Sequence, residues 1–138
     1  MPTSINSVFA LDQHSDFDPL EKRLGCTQDH LMGNFYIQEL AAAHPVDILS
    51  NSQIHTENFL ILDMACSPGG KTTQLTEYFP NSFIIANEPA RDRLPQLLQN
   101  LERMGTSSVG ITLYPGQFYK HHAEIFDLVL LDVPCSGE

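Results

Sequence analysis

The sequence predicts an α/β fold built on a parallel sheet, and three observations predict it. From about residue 59 onward, short apolar runs alternate with longer amphipathic stretches. A loop of small residues, from Ala65 to Gly70, joins the first apolar run to the first amphipathic one. The last run, Asp127-Leu128-Val129-Leu130-Leu131-Asp132, ends on an acid and leads directly into Val133-Pro134-Cys135-Ser136-Gly137.

Taken in order, residues 1–30 have mixed polarity and no sustained period, and read as a loosely packed, acidic lead-in. Residues 36–43, rich in helix formers, predict a helix that Pro45 stops. The polar stretch 50–58 reads as a loop. Residues 59–63 predict the first strand, 70–79 a helix and 82–87 the second strand. From about Asp92 to Met104 a helix puts Leu94, Leu97, Leu98 and Leu101 on one face. Pro95 fits only its first turn, and Gly105 suits its end. Residues 109–114 predict the third strand. Residues 127–132 predict the fourth, apolar enough to be buried on both faces.

Composition bounds the function. The chain has 138 residues, the size of a single domain. No apolar run approaches the ~18 residues that span a bilayer, and the N-terminus lacks the pattern of a signal peptide. A cytoplasmic protein is expected. The charge of -10 argues against a free-standing nucleic-acid binder, but leaves nucleic acid open as a substrate if the binding surface is supplied elsewhere. Three scattered cysteines, Cys26, Cys66 and Cys135, suit neither a disulfide framework nor a zinc site. His121-His122 has no third ligand at a suitable spacing, and no metal is expected.

The segment Asp63-Met64-Ala65-Cys66-Ser67-Pro68-Gly69-Gly70-Lys71-Thr72-Thr73 admits two functional readings. As a phosphate-binding loop it keeps Gly70-Lys71-Thr72, but has Ala65 where the pattern needs Gly. Asp132 would then hold magnesium. As a Rossmann-like nucleoside site it predicts an acid at the end of the second strand to bond ribose hydroxyls, and Glu88 stands there. Pro68 also removes an N–H that a phosphate cradle would use. The nucleoside reading is preferred.

With Gly33-Asn34-Phe35-Tyr36-Ile37-Gln38-Glu39, the loop from Ala65 to Lys71, Asn87-Glu88 backed by Arg93, Asn100, Arg103 and Gly105, and Asp132-Val133-Pro134-Cys135-Ser136-Gly137, residues 31–138 resemble the RNA cytosine-5 methyltransferases of the Nop2/Sun (RsmB/NOP) family. The bacterial 16S rRNA enzymes are the most similar kind. The resemblance implies the N-terminal half of a Rossmann-like class I methyltransferase fold, with its first four strands in the order 3-2-1-4. It implies S-adenosyl-L-methionine as cofactor, held by Ala65, Cys66, Ser67, Pro68, Gly69, Gly70, Lys71, Glu88 and Asp132. RNA, as ribosomal RNA, is the implied substrate.

The implied catalytic residues are Asp132 and Cys135. A thiolate must add to cytosine C6 so that electron density reaches C5, and a carboxyl near N3 assists. The resemblance gives the second task to Asp132 and product release to Cys135. It places the attacking thiol in a later Thr-Cys motif, beyond Glu138, so the chain as given is expected to be inactive alone. In the alternative, Cys135 itself attacks, as in DNA cytosine-5 enzymes with a Pro-Cys motif. Where the family has an adenine-contacting Asp after the third strand, this chain has Pro115. A non-catalytic cofactor-binding fragment and a phosphate-loop protein remain the competing functions.

Overall fold

The computed structural model describes residues 24–50 and 58–132. Four parallel strands form the sheet: β1 (Leu60–Asp63), β2 (Phe83–Asn87), β3 (Val109–Thr112) and β4 (Leu128–Leu130). Their order is β3-β2-β1-β4, the order the resemblance implies. In register, Ile61 stands beside Ile84 and Leu128, and Asp63 beside Ala86 and Leu130. Side chains alternate between faces, so these six share one face. Leu62, Ile85 and Val129 share the other.

The first face carries the helices. These are α2 (Leu40–Ser50), α3 (Gly70–Tyr78) and α4 (Leu94–Arg103); the short α1 (Gln28–Leu31) precedes them and buries no residue. Val46, Leu75 and Phe79 pack on Ile61, Ile84 and Leu130. Leu97 and Leu101 pack on Ala86 and Cys66. Leu98 turns outward at 46% exposure, so the buried stripe of α4 is narrower than its leucines suggest. Two short 3-10 turns, Gly116–His121 and Ala123–Ile125, connect β3 to β4, and Gly116, Tyr119 and Lys120 of the first lie with Leu62 and Val129 around a recess on the second face.

Two expectations are corrected. Pro45 does not stop a helix: residues 35–39 have no regular structure, α2 begins at Leu40, and Pro45 lies inside it. Proline removes one intrahelical bond, the one that would reach Ala41. Burial of Ala43 and Val46 outweighs that loss, and Gln74 Nε2 donates to Ala43 O at 3.1 Å. Nor is β4 buried on both faces. Leu130 is covered, but Val129 is 46% exposed and Leu131, just past the strand, 60%. Among the described residues β4 pairs only with β1, so it is an edge.

The C-terminus of α4 is well made. Gly105 adopts φ +67°, with Gly105 N–H bonded to Glu102 O at 3.0 Å and Thr106 N–H to Leu101 O at 3.1 Å. That pair of bonds is the Schellman arrangement. No helix among the described residues is long and apolar enough to cross a membrane.

Candidate cofactor site

In a parallel sheet, ligands bind where the carboxyl ends of the strands open into loops. Here β1 runs into residues 64–69, β2 into Glu88, β3 into Tyr114 and β4 into Asp132. Strand alternation puts Asp63 on the helix-covered face, where it is buried. Its Oδ2 accepts from Thr72 Oγ1 at 2.7 Å. Burial pushes its carboxyl from the ordinary 3.8 up to about 6, the Asp132 charge adds to this, and the Thr72 and Ala65 bonds and the Lys71 charge oppose it.

The loop is tied on several sides. Met64 N–H donates to Leu130 O at 2.9 Å and Cys66 N–H to Asn87 O at 3.1 Å. Gly69, at φ +107°, is the N-cap of α3 and offers no side-chain bond. The first-turn N–H groups of α3 therefore have no intrahelical acceptor and no cap, which suits a carboxylate. A Cβ on Gly70 would sit 2.8 Å from Gln38 Oε1 and from the Tyr36 ring, so a larger residue there would have to displace those two side chains. Lys71 Nζ meets Asp132 Oδ2 at 2.6 Å, an ion pair that aims one carboxylate across the mouth of the loop.

Glu88 is 2% exposed. Its Oε1 accepts from Ala90 N–H at 2.8 Å, while Oε2 is buried without a hydrogen bond, 3.6 Å from Arg93 Nη1. A buried carboxylate oxygen with spare accepting capacity suits a ligand hydroxyl. Ser67 Oγ is a second buried polar atom without a partner. Free N–H groups, a spare acid oxygen and carboxylates at 63, 88 and 132 fit a ligand that joins a ribose, a cationic centre and a carboxylate. The donor set therefore fits S-adenosylmethionine.

The structure brings Ala65 to Lys71, Glu88 and Asp132 to one edge. Cys135, with Pro134, Ser136 and Gly137, lies outside the described residues, as does most of the expected loop 50–58. Cys66 is buried under Asp63 and Glu88, and desolvation plus those two charges push its thiol well above the usual range. Burial and the raised thiol both disfavour a thiolate there, and its N–H is bonded to Asn87 O. His121 and His122 are exposed.

Sequence reasoning passed over Asp63 and the network of Asn87. The only signal for Asp63 was its place at the end of a buried strand. Asn87 Oδ1 accepts from Tyr114 N–H and Thr112 Oγ1 at 3.0 Å, and from Tyr119 Oη at 3.2 Å. Its Nδ2 donates to Tyr114 O at 3.0 Å and Met64 O at 3.2 Å.

The profile of the 16S rRNA methyltransferase RsmB/F family matches residues 51–138. The chain belongs to the RsmB/F family. Among curated relatives, "Ribosomal RNA small subunit methyltransferase F" of Shewanella piezotolerans is 42% identical over 120 residues, which is 86% of this chain and 25% of that protein. The same-named protein of Aeromonas hydrophila is 42% identical over 117 residues, 83% of this chain and 25% of its own length. This RsmB/F chain thus spans about a quarter of the curated relatives it matches. Among solved structures, NSun6 from Pyrococcus horikoshii, determined with SFG, superposes with a TM-score of 0.69 at 27% identity, covering 80% of this chain and 28% of that one. A methyltransferase homologue from the same organism gives 0.69 at 30% identity, covering 83% and 36%. Membership in RsmB/F sets aside the phosphate-loop reading of residues 65–72.

Proposed function

We propose that this chain forms the cofactor-binding part of an S-adenosylmethionine-dependent RNA cytosine-5 methyltransferase that acts on ribosomal RNA in the cytoplasm. The observation that carries the reading is Glu88 Oε2, a buried acceptor without a hydrogen bond, at the same end of the sheet as the uncapped first turn of α3. Glu88 takes the ribose hydroxyls. The loop from Ala65 to Gly70 wraps the methionine half, and the amides at the start of α3 take its carboxylate. The domain begins near residue 31, with residues 1–30 as its lead-in. The cofactor supplies an electrophilic methyl group on a cationic sulfur.

Three acids, Asp63, Glu88 and Asp132, lie at this end of the sheet, and their charge favours a cation. Asp132, held by Lys71, bonds the cytosine near N3 and assists addition of the thiolate at C6, which makes C5 the nucleophile toward the methyl group. For Cys135 the resemblance supports a role in product release. In a full-length relative Cys135→Ala then accumulates a covalent protein–RNA adduct, whereas loss of both adduct and methyl transfer makes Cys135 the attacking thiol. The function is tested by calorimetry with S-adenosylmethionine and, separately, ATP with magnesium. Binding of the first and not the second is expected, and Glu88→Ala should weaken it roughly ten- to a hundredfold. Equal affinity in the variant would remove Glu88 from the site.

A further inference from the structure

We propose that Asn100 is a positioning residue for the methionine half of the cofactor, acting on the glycine loop from behind; the proposal rests on the function just given. Glycine at 69 lets the loop adopt φ +107°, but the same freedom lets it leave that state. Something outside the loop has to hold it. Two side chains at the start and in the middle of α4 do so. Arg93 Nη2 donates to Ser67 O at 3.0 Å and Asn100 Nδ2 to Pro68 O at 2.8 Å.

The second bond matters most because of the peptide it holds. Pro68 C=O and Gly69 N–H belong to one planar unit. Its oxygen is fixed by Asn100, and its N–H by Cys66 O at 2.7 Å. A plane pinned at both ends cannot rotate. The next carbonyl, Gly69 O, is then presented to Thr73 N–H at 2.9 Å, which starts α3 on that loop geometry. Leu97 and Asn100 also lie against Gly69, where a Cβ would be 3.2 Å and 3.6 Å from them. Asn100 is itself steadied, with Tyr36 Oη 3.4 Å from Nδ2 and the Tyr36 ring under Arg103. It touches no position assigned to the ligand, so its effect is on the cost of organising the loop, which falls on the part of the ligand the loop grips.

The test compares two ligands by calorimetry on the full chain. S-adenosylmethionine uses the loop and Glu88; adenosine has only the nucleoside half. Asn100→Asp keeps the shape, removes the donor and faces the Pro68 carbonyl with a carboxylate. It should weaken S-adenosylmethionine about tenfold and adenosine less than about twofold. Asn100→Ser, which adds no charge, should show the same split if the first variant folds poorly. Glu88→Ala should weaken both ligands. Equal losses for both ligands in the Asn100 variants, or no loss in either, overturn the proposal. A parent chain that binds neither ligand overturns the functional reading itself.

Discussion

Asp63 illustrates how one buried carboxyl makes stability depend on pH. In the folded chain it titrates near 6, against an ordinary 3.8. Between those values the folded state holds a proton that the unfolded state has released. Stability from this group is therefore greatest below about pH 4, falls as pH rises to about 6, and stays at the lower level above that. The fall is on the order of 3 kcal/mol. Asp63→Asn cannot titrate, and its Oδ1 still accepts from Thr72. Urea unfolding from pH 4 to 7 should give a parent-minus-variant difference that slopes downward to about pH 6 and then levels. A difference flat across the whole range would contradict the assignment. Bound S-adenosylmethionine, being cationic, should pull the titration back toward lower pH.

At the level of elements, glycines separate two kinds of requirement. Gly33 (φ +78°) lies where a Cβ would be 1.9 Å from Arg103 O, whereas Gly105 (φ +67°) has open space around it. Gly105→Ala should cost only the left-handed conformation, about 1–2 kcal/mol. Gly33→Ala must also push residues 30–35 off α4, where Arg103 Nη1 now bonds His30 O at 2.7 Å and Phe35 O at 3.1 Å. It should cost clearly more, seen as a larger drop in the urea midpoint; equal drops would mean that residues 30–35 are not anchored there. The same contrast explains what could be read from the residues. Strands β1, β2 and β4 are legible because apolar runs register their own burial, and α3 and α4 because glycine and proline punctuate them. The start of α2 was not, because local propensity around Pro45 points one way and burial of Val46 the other. The loop and Glu88 are legible as a motif. The ties from Arg93 and Asn100 are not, because a hydrogen bond across 26 or 32 positions leaves no local pattern.

For the whole molecule, the sheet is unevenly dressed. Helices cover one face, while Phe83 and Val129 on the other are about half exposed and β4 presents an unpaired edge among the described residues. Such a surface favours association. The chain at tens of micromolar should sediment as more than a monomer, and Val129→Lys with Leu131→Lys should shift it toward the monomer by at least about tenfold in dissociation constant. Unchanged sedimentation would place the contact elsewhere. Asn87 acts at the same scale. One side chain joins the exits of β1, β2 and β3 through Met64, Tyr114, Thr112 and Tyr119. The three loops that frame the site are therefore not interchangeable parts. A chimaera that borrows the segment after β3 from a distant relative must bring a matching hydroxyl pair and backbone path, or strand a buried amide. Diversification of this pocket should proceed by co-inherited blocks, with ligand preference retuned at the loop tips while the knot beneath them is kept.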